Sequence, residues 1–302
     1  MRIRALESAI QAIAADNRTG ASTLCLQAAE ALISFAESAD EDEFASETPR
    51  AAVALAHAQP AMAPLFRLAN DVLLAAPDRR RVVDACRAFA ARVNGSDAVI
   101  ARTAQTLVPA SGVILTHSFS RTVLTTLLAA HRNGKHPRVV ATESRPVGEG
   151  LALARTLADA GMEAVLIVDA AAGRWIADTT VILVGADAVA DDGVVNKIGT
   201  SLIARAAAAC GRPVYSLCST EKLAPAGFRH RDAARPAQEV GRDIPRNVTV
   251  WNYYFDSTPL DLFSGIVTEE GILKPEDVRR RMAQIEVHAA LRPMLDSEPA
   301  PS

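Results

Sequence analysis

Apolar residues change their spacing near residue 110, and the change separates two kinds of structure. Before it, Ala and Leu recur every three or four positions, as in Leu24-Cys25-Leu26-Gln27-Ala28-Ala29-Glu30-Ala31-Leu32-Ile33-Ser34-Phe35. That is the period of a helix with one buried face. The pattern predicts helices over 24–35, 49–57, about 65–74 and 78–94. A polar, acidic gap is expected at 38–48, and Pro60 and Pro64 punctuate the approach to the third helix. After the change, apolar runs of four to six residues mark strands at 112–116, 138–142, 163–168, 180–184 and 213–217. Helices are expected between them, at 121–133, 148–160, 174–177 and 200–210. Short apolar strands alternating with helices predict a parallel sheet covered on both faces. Residues 228–246 are charged and carry prolines, the signature of a loop or interface arm. Lys274-Pro275-Glu276-Asp277 opens a helix expected to reach about residue 291, and residues 297–302 are expected to fray.

Bulk properties narrow the class. A chain of 302 residues, 49% hydrophobic and 22% charged, is an ordinary soluble globular protein with room for one large core or two domains. Its net charge of -3 favours neither nucleic acid nor an anionic membrane as a partner. The opening residues 1–17 carry charges every few positions and lack the apolar stretch of a signal peptide. No uncharged run approaches the roughly 20 residues of a membrane helix. Cys25, Cys86, Cys210 and Cys218 are scattered, with no spacing suited to a metal, so reduced thiols in a cytoplasmic protein are expected, with no metal and no cofactor.

Polar chemistry collects at the ends of the expected strands, where ligands bind in parallel sheets. The first strand ends in Thr116-His117-Ser118-Phe119-Ser120-Arg121, the second in Thr142-Glu143-Ser144-Arg145-Pro146, the fourth in Asp187, and the fifth in Ser219-Thr220-Glu221-Lys222. Asp187 is followed by a short acidic turn and then by Asn196-Lys197-Ile198-Gly199-Thr200. An acid, an amide and a cation so placed can hold and ionise a small phosphorylated polyol. Arg145 is the candidate bidentate phosphate clamp, with Lys197 and Lys222 as point charges. Ser118 and Ser120 stand where a strand turns into a helix, so backbone amides there can also receive phosphate. Gly20 and Ala21, at the start of the first long helix, offer either an anion site or an ordinary N-cap. Each residue alone has a structural explanation, since Thr-His-Ser before a helix is commonly a cap. Their shared position is what makes a convergent site.

Ile114-Leu115-Thr116-His117, Glu143-Ser144-Arg145-Pro146, Val184-Gly185-Ala186-Asp187 with Asn196-Lys197-Ile198-Gly199-Thr200, and Thr258-Pro259 through Thr268-Glu269-Glu270-Gly271 occur in this order. Over roughly residues 15–290 the chain resembles one superfamily. It holds the alpha, beta and delta regulatory subunits of translation initiation factor 2B, ribose-1,5-bisphosphate isomerase and methylthioribose-1-phosphate isomerase. The resemblance implies an α/β fold: an N-terminal helical domain, residues 1–105, and a Rossmann-like parallel-sheet domain, residues 106–302. It also implies a homo-oligomer, a dimer or higher, and a phosphorylated sugar as ligand. Arg18-Thr19-Gly20-Ala21 falls where the isomerases place an Arg-Gly-Ala phosphate loop, at a different spacing. In the isomerases a cysteine follows the Thr-His pair and works with the acid at position 187; this chain has Ser118 there.

Two readings follow. As an isomerase converting an aldose 1-phosphate to a ketose 1-phosphate, the chain would use Asp187 as general acid/base. Arg145, Lys197 and Lys222 would bind phosphate, Asn196 would orient a hydroxyl, and Ser118, or a water held by His117, would replace the thiol. As a non-catalytic regulator similar to the initiation factor subunits, it would sense a sugar phosphate or nucleotide. Ser118-Phe119-Ser120-Arg121 resembles the alpha subunit, whereas Asp187, Asn196 and Lys197 resemble the isomerases. A purely structural member with a degenerate site is a third, weaker reading, given how many polar strand-end residues remain.

Overall fold

The computed structural model describes residues 2–16 and 19–296; the expected frayed tail at 297–302 lies outside them. The N-terminal part is helical: α1 (Arg2–Ala15), α2 (Ala21–Ser38), α3 (Glu41–Ala58), α4 (Ala63–Ala75) and α5 (Arg79–Ala104). Their apolar faces share one core that includes Leu24, Leu32, Phe44, Leu55, Phe66 and Phe89. Two boundaries differ from expectation. The acidic stretch at 38–48 is a helix start, because Asp40 accepts the Glu43 N–H at 2.9 Å. Glu41, Asp42 and Glu43 then occupy the first turn, where the helix dipole favours negative charge, and Pro49 lies inside α3. The last of these helices, α5, continues past Gly95 to Ala104. A helical glycine costs about 1 kcal/mol; burying Val93 and Ile100 outweighs that at about 1.5–3 kcal/mol per side chain.

The strands are β1 (Val113–Thr116), β2 (Arg138–Thr142), β3 (Ala164–Ile167), β4 (Val181–Val184), β5 (Ala188–Ala190), β6 (Gly193–Lys197), β7 (Val214–Leu217), β8 (Phe255–Thr258), β9 (Gly265–Thr268) and β10 (Gly271–Leu273). Seven of them form one sheet in the order β10-β9-β7-β4-β1-β2-β3, parallel except for the β9–β10 hairpin. Helices α6 (Arg121–Arg132), α7 (Gly150–Asp159), α8 (Ala172–Ile176), α9 (Thr200–Ala209) and α10 (Pro275–Ala283) complete the α/β fold. Side chains alternate across the sheet, as the two-residue period requires. Val181 and Leu183 of β4 join α6, α7 and the end of α5, while Ile182 and Val184 join α8, α9 and α10.

The second sheet, β5-β6-β8, was not expected. It is antiparallel and begins directly after Asp187. Its Ala188, Ala190 and Val195 pack into the helical core. The helix beginning at Pro275 stops at Ala283 rather than near 291. There Asn70 of α4 binds the Glu286 carbonyl at 2.9 Å and the His288 N–H at 2.8 Å, which draws the backbone out of helical pairing. Residues 228–246 form the expected irregular arm, apart from a short turn at Ala237–Glu239. Glu221, only 2% exposed, is clasped by Arg92 of α5 and lies 4.0 Å from Arg67 of α4, so an ion pair joins the helical layer to the end of β7. Among the described residues no helix is long and apolar enough to cross a membrane.

Candidate functional site

Strand order reverses between β1 and β4, so the connections leaving these two strands diverge and open a crevice at their carboxyl ends. A cavity of about 380 Å³ lies there. The β1–α6 loop contributes Ser118, Phe119 and Ser120, and the start of α7 contributes Glu149. From beyond β4 come Gly185, Ala186 and Asp187, from β6 Asn196 and Lys197, and from the turn after β7 Lys222. Gly20 to Thr23 close it from the start of α2, and Tyr254 and Phe255 from β8. Gly185 is needed for this closeness: a Cβ there would stand 2.8 Å from the Ser120 hydroxyl.

Four helices begin at or beside the cavity, α2, α6, α7 and α9, and their first turns are satisfied differently. The α9 start is filled by Asp256, which accepts the N–H groups of Gly199 at 2.8 Å and Ser201 at 3.2 Å. The α6 start is capped by Ser120 through the Val123 N–H at 3.3 Å. Gly20 gives α2 no side-chain cap. Glu149 likewise gives α7 none, so among the described residues the first turns of α2 and α7 are the two of these four without a side-chain cap, and Asp16 stands close to the α2 start through its bonds from Thr19 at 2.8 and 2.6 Å.

Ser118 sits in the left-handed region, at φ 70°, an unfavourable conformation for a residue with a Cβ. A hydrogen-bond chain holds it there. Its N–H donates to Ser144 Oγ at 2.8 Å, Ser144 Oγ lies 3.0 Å from Thr142 Oγ1, and Thr142 Oγ1 lies 2.6 Å from His117 Nδ1. At the far end His117 Nε2 is 2.8 Å from the Ile198 carbonyl, which can only accept, so the imidazole proton is on Nε2. The chain ties together the ends of β1, β2 and β6. The Ser118 hydroxyl itself donates to Glu149 Oε1 at 3.1 Å, and the same carboxylate oxygen pairs with Lys197 Nζ at 2.8 Å. Lys197 also lies 4.4 Å from the centre of the Tyr254 ring, which Arg235 covers at 4.6 Å.

The Asp187 backbone N–H binds the Val195 carbonyl at 2.8 Å, which starts the β5–β6 hairpin. Burial raises its carboxyl above the usual carboxylate range, and the ammonium groups of Lys222 and Lys197 oppose the rise. Lys222 donates to the Ala186 carbonyl, so its cation is held beside the acid. Asn196 donates to Thr200 Oγ1 at 3.0 Å, which fixes its amide plane in the wall.

The sequence places Ser118, Ser120, Asp187 and Lys222 at strand ends and offers Asn196, Lys197, Gly20 and Ala21 as further binding residues, and the structure brings all eight to one cavity. Arg18 lies outside the described residues. Three other candidates stand elsewhere. Arg145 is exposed and outside the cavity lining: Asp169 binds its backbone N–H at 2.7 Å, and its guanidinium donates to the Glu239 carbonyl at 2.8 Å. Thr116 is buried and does not line the cavity. His117 is also buried, with both ring nitrogens engaged, so it braces the loop instead of holding a water for the substrate. Glu149 was missed. An acid ahead of a helix reads as a solvated cap, and its strand-end position in Pro146-Val147-Gly148-Glu149-Gly150 was the available signal.

Burial pulls the His117 ring below its ordinary value, with the Ile198 carbonyl and the Asp169 and Glu149 carboxylates opposing. The fold therefore keeps it neutral, while the unfolded chain takes up a proton near pH 6.5. Stability is retained above that value and is expected to fall as pH drops below it. Urea midpoints at about pH 7.5 and about pH 5.5 should differ less in His117→Asn than in the wild type.

The whole arrangement matches a known family model. Residues 17–275 fit the model described as the initiation factor 2 subunit family. The chain belongs to this family. Among its members, the ribose 1,5-bisphosphate isomerase of Archaeoglobus fulgidus is 33% identical over 270 residues, covering 85% of this chain and 86% of that protein. The ribose 1,5-bisphosphate isomerase of Haloferax volcanii is 33% identical over 299 residues, covering 93% and 92%. The solved structure of the Pyrococcus horikoshii OT3 translation initiation factor eIF-2B superposes with a TM-score of 0.77 at 31% identity, covering 89% of this chain and 97% of that one. This initiation factor 2 family member thus resembles proteins bearing both kinds of name.

Proposed function

We propose that the protein is a sugar-phosphate isomerase, converting an aldose 1-phosphate of the ribose 1,5-bisphosphate type to the ketose 1-phosphate, with Ser118 where the isomerases carry cysteine. The observation that carries this reading is that Asp187, Asn196 and Lys197 line one cavity together with the uncapped start of α2. Residues 1–105 would supply the phosphate end of the site through Gly20 and Ala21, and residues 106–302 the acid, amide and lysines. Lys222, Lys197 and the amide at Ser120 would receive the phosphate groups. The reaction moves a hydrogen within one molecule and calls for no cofactor. The ring oxygen gains a proton as its bond to C1 breaks, the C2 hydroxyl loses one, and the hydrogen on C2 ends on C1. Asp187, whose carboxyl burial raises above its usual range, would be the donor to the ring oxygen. The active form would be a cytoplasmic homo-oligomer of two or more copies, with neither nucleic acid nor membrane as partner.

Ser118 favours a second reading, a non-catalytic sensor of a sugar phosphate or nucleotide, because a hydroxyl is a poorer proton shuttle than a thiol. One experiment separates the two. The protein is incubated with a panel of aldose 1-phosphates, including ribose 1,5-bisphosphate, and the anomeric proton is followed by NMR. Loss of that signal with appearance of the ketose supports the isomerase. Binding without turnover, both in the wild type and in Ser118→Cys, supports the sensor.

A further inference from the structure

A serine can exchange protons with a substrate near neutral pH only when a base stands beside it. The site contains one. We infer that Glu149 is the proton acceptor for Ser118, so that the pair does the work a cysteine would do alone. This inference rests on the isomerase reading and adds a residue to it.

The geometry is specific. Ser118 Oγ donates to Glu149 Oε1 at 3.1 Å, which turns the lone pairs of the hydroxyl away from the carboxylate. Lys197 Nζ, at 2.8 Å from the same oxygen, fixes the carboxylate in one orientation. Glu149 Oε2 is buried with no hydrogen-bond partner among the described residues. The backbone on either side is rigid. Glu149 immediately precedes Gly150, where a Cβ would overlap the Thr142 carbonyl, so α7 is pressed against the end of β2. Ser118 is fixed by the Ser144, Thr142 and His117 chain from the other side.

The protons balance along this route. The C2 hydroxyl proton passes to Ser118 Oγ while the proton already on Oγ passes to Glu149 Oε1. The electron pair left on O2 forms the C2 carbonyl as hydride moves from C2 to C1. The bond from C1 to the ring oxygen breaks, and that oxygen takes the Asp187 proton. Glu149 ends with one proton more and Asp187 with one fewer, and exchange with solvent restores both. Glu149 acts through Ser118 and is in that sense a positioning residue, one that also receives the proton.

Position 118 makes the idea testable, since a thiol ionises by itself and should no longer need Glu149. Glu149→Gln is isosteric and is compared in two backgrounds, wild type and Ser118→Cys, with ribose 1,5-bisphosphate as substrate. With Ser118 present, it should lower kcat by about 100-fold and leave KM within about threefold. In the Ser118→Cys background the loss should shrink to about fivefold or less. Equal losses in both backgrounds would make Glu149 merely structural and overturn the inference, while the isomerase reading stands. No turnover by any variant, wild type included, would remove both. A second measurement needs no turnover: alkylation of the thiol introduced by Ser118→Cys, followed site by site by mass spectrometry across pH. Adding Glu149→Gln should move the midpoint down by about one pH unit, because a neighbouring carboxylate disfavours the thiolate. An unmoved midpoint would show that the two side chains do not meet, and the inference would fall.

Discussion

Asp187→Asn is expected to lower kcat for ribose 1,5-bisphosphate by about 10³-fold while leaving the dissociation constant within about threefold. The amide keeps the shape of the carboxyl, and the hydrogen bond that positions the residue is made by its backbone N–H to Val195. The hairpin should therefore survive, and the loss should fall on the proton. Single-turnover kinetics measure the first quantity and calorimetric titration the second. In a sensor the same substitution would alter affinity alone. A loss confined to binding would thus move the protein from the isomerase reading to the regulatory one. Acid at this position is helped by its surroundings: burial favours the protonated form, and Lys222 and Lys197 limit how far that goes.

Gly150→Ala is expected to destabilise the protein by about 3 kcal/mol or more, although replacing a helical glycine by alanine ordinarily gains about 1 kcal/mol. The sign is decided by space. A Cβ at Gly150 would overlap the carbonyl of Thr142, which is backbone and has no side-chain freedom with which to yield. Helix α7 would have to move off β2, carrying Glu149 with it, so activity should fall together with stability. Gly95→Ala serves as control: it lies within α5 with open space around its Cβ position and should stabilise by about 0.5–1 kcal/mol. Urea midpoints of the two variants should therefore shift in opposite directions. A shift of Gly150→Ala toward higher urea would show that α7 is not pressed against the strand end.

The alternation of apolar strands and helices made β1 to β4 and β7 legible: β1, β2, β4 and β7 are largely buried and read as continuous apolar runs, and the edge strand β3 is as apolar in sequence although Leu166 is exposed. The strands β5, β6 and β8 escaped notice for a related reason. Ala188-Val189-Ala190 is too short to show a period, and Gly193-Val194-Val195-Asn196-Lys197 ends in two polar residues, which look like a loop. The β9–β10 hairpin was read only as part of a signature block, so its pairing on the sheet edge was not seen. For the site, strand-end position was the useful signal and charge type was a poor one. Asp187, Lys197 and Lys222 line the same cavity, whereas Arg145, the most obvious phosphate binder by chemistry, is turned outward by the loop that Asp169 ties down. Glu149 went unnoticed because its partners, Ser118 and Lys197, are 31 and 48 residues away in sequence. Only the sheet brings them together.

The hydrogen bond that holds position 118 in its left-handed backbone comes from the residue's own N–H to Ser144. Nothing in that brace depends on which side chain position 118 carries. Scaffold and reagent are separate parts here, so hydroxyl, thiol or a smaller group can be exchanged at this point without rebuilding the loop. On the isomerase reading, a lineage with such a site would gain or lose its reaction by one substitution and keep its pocket throughout.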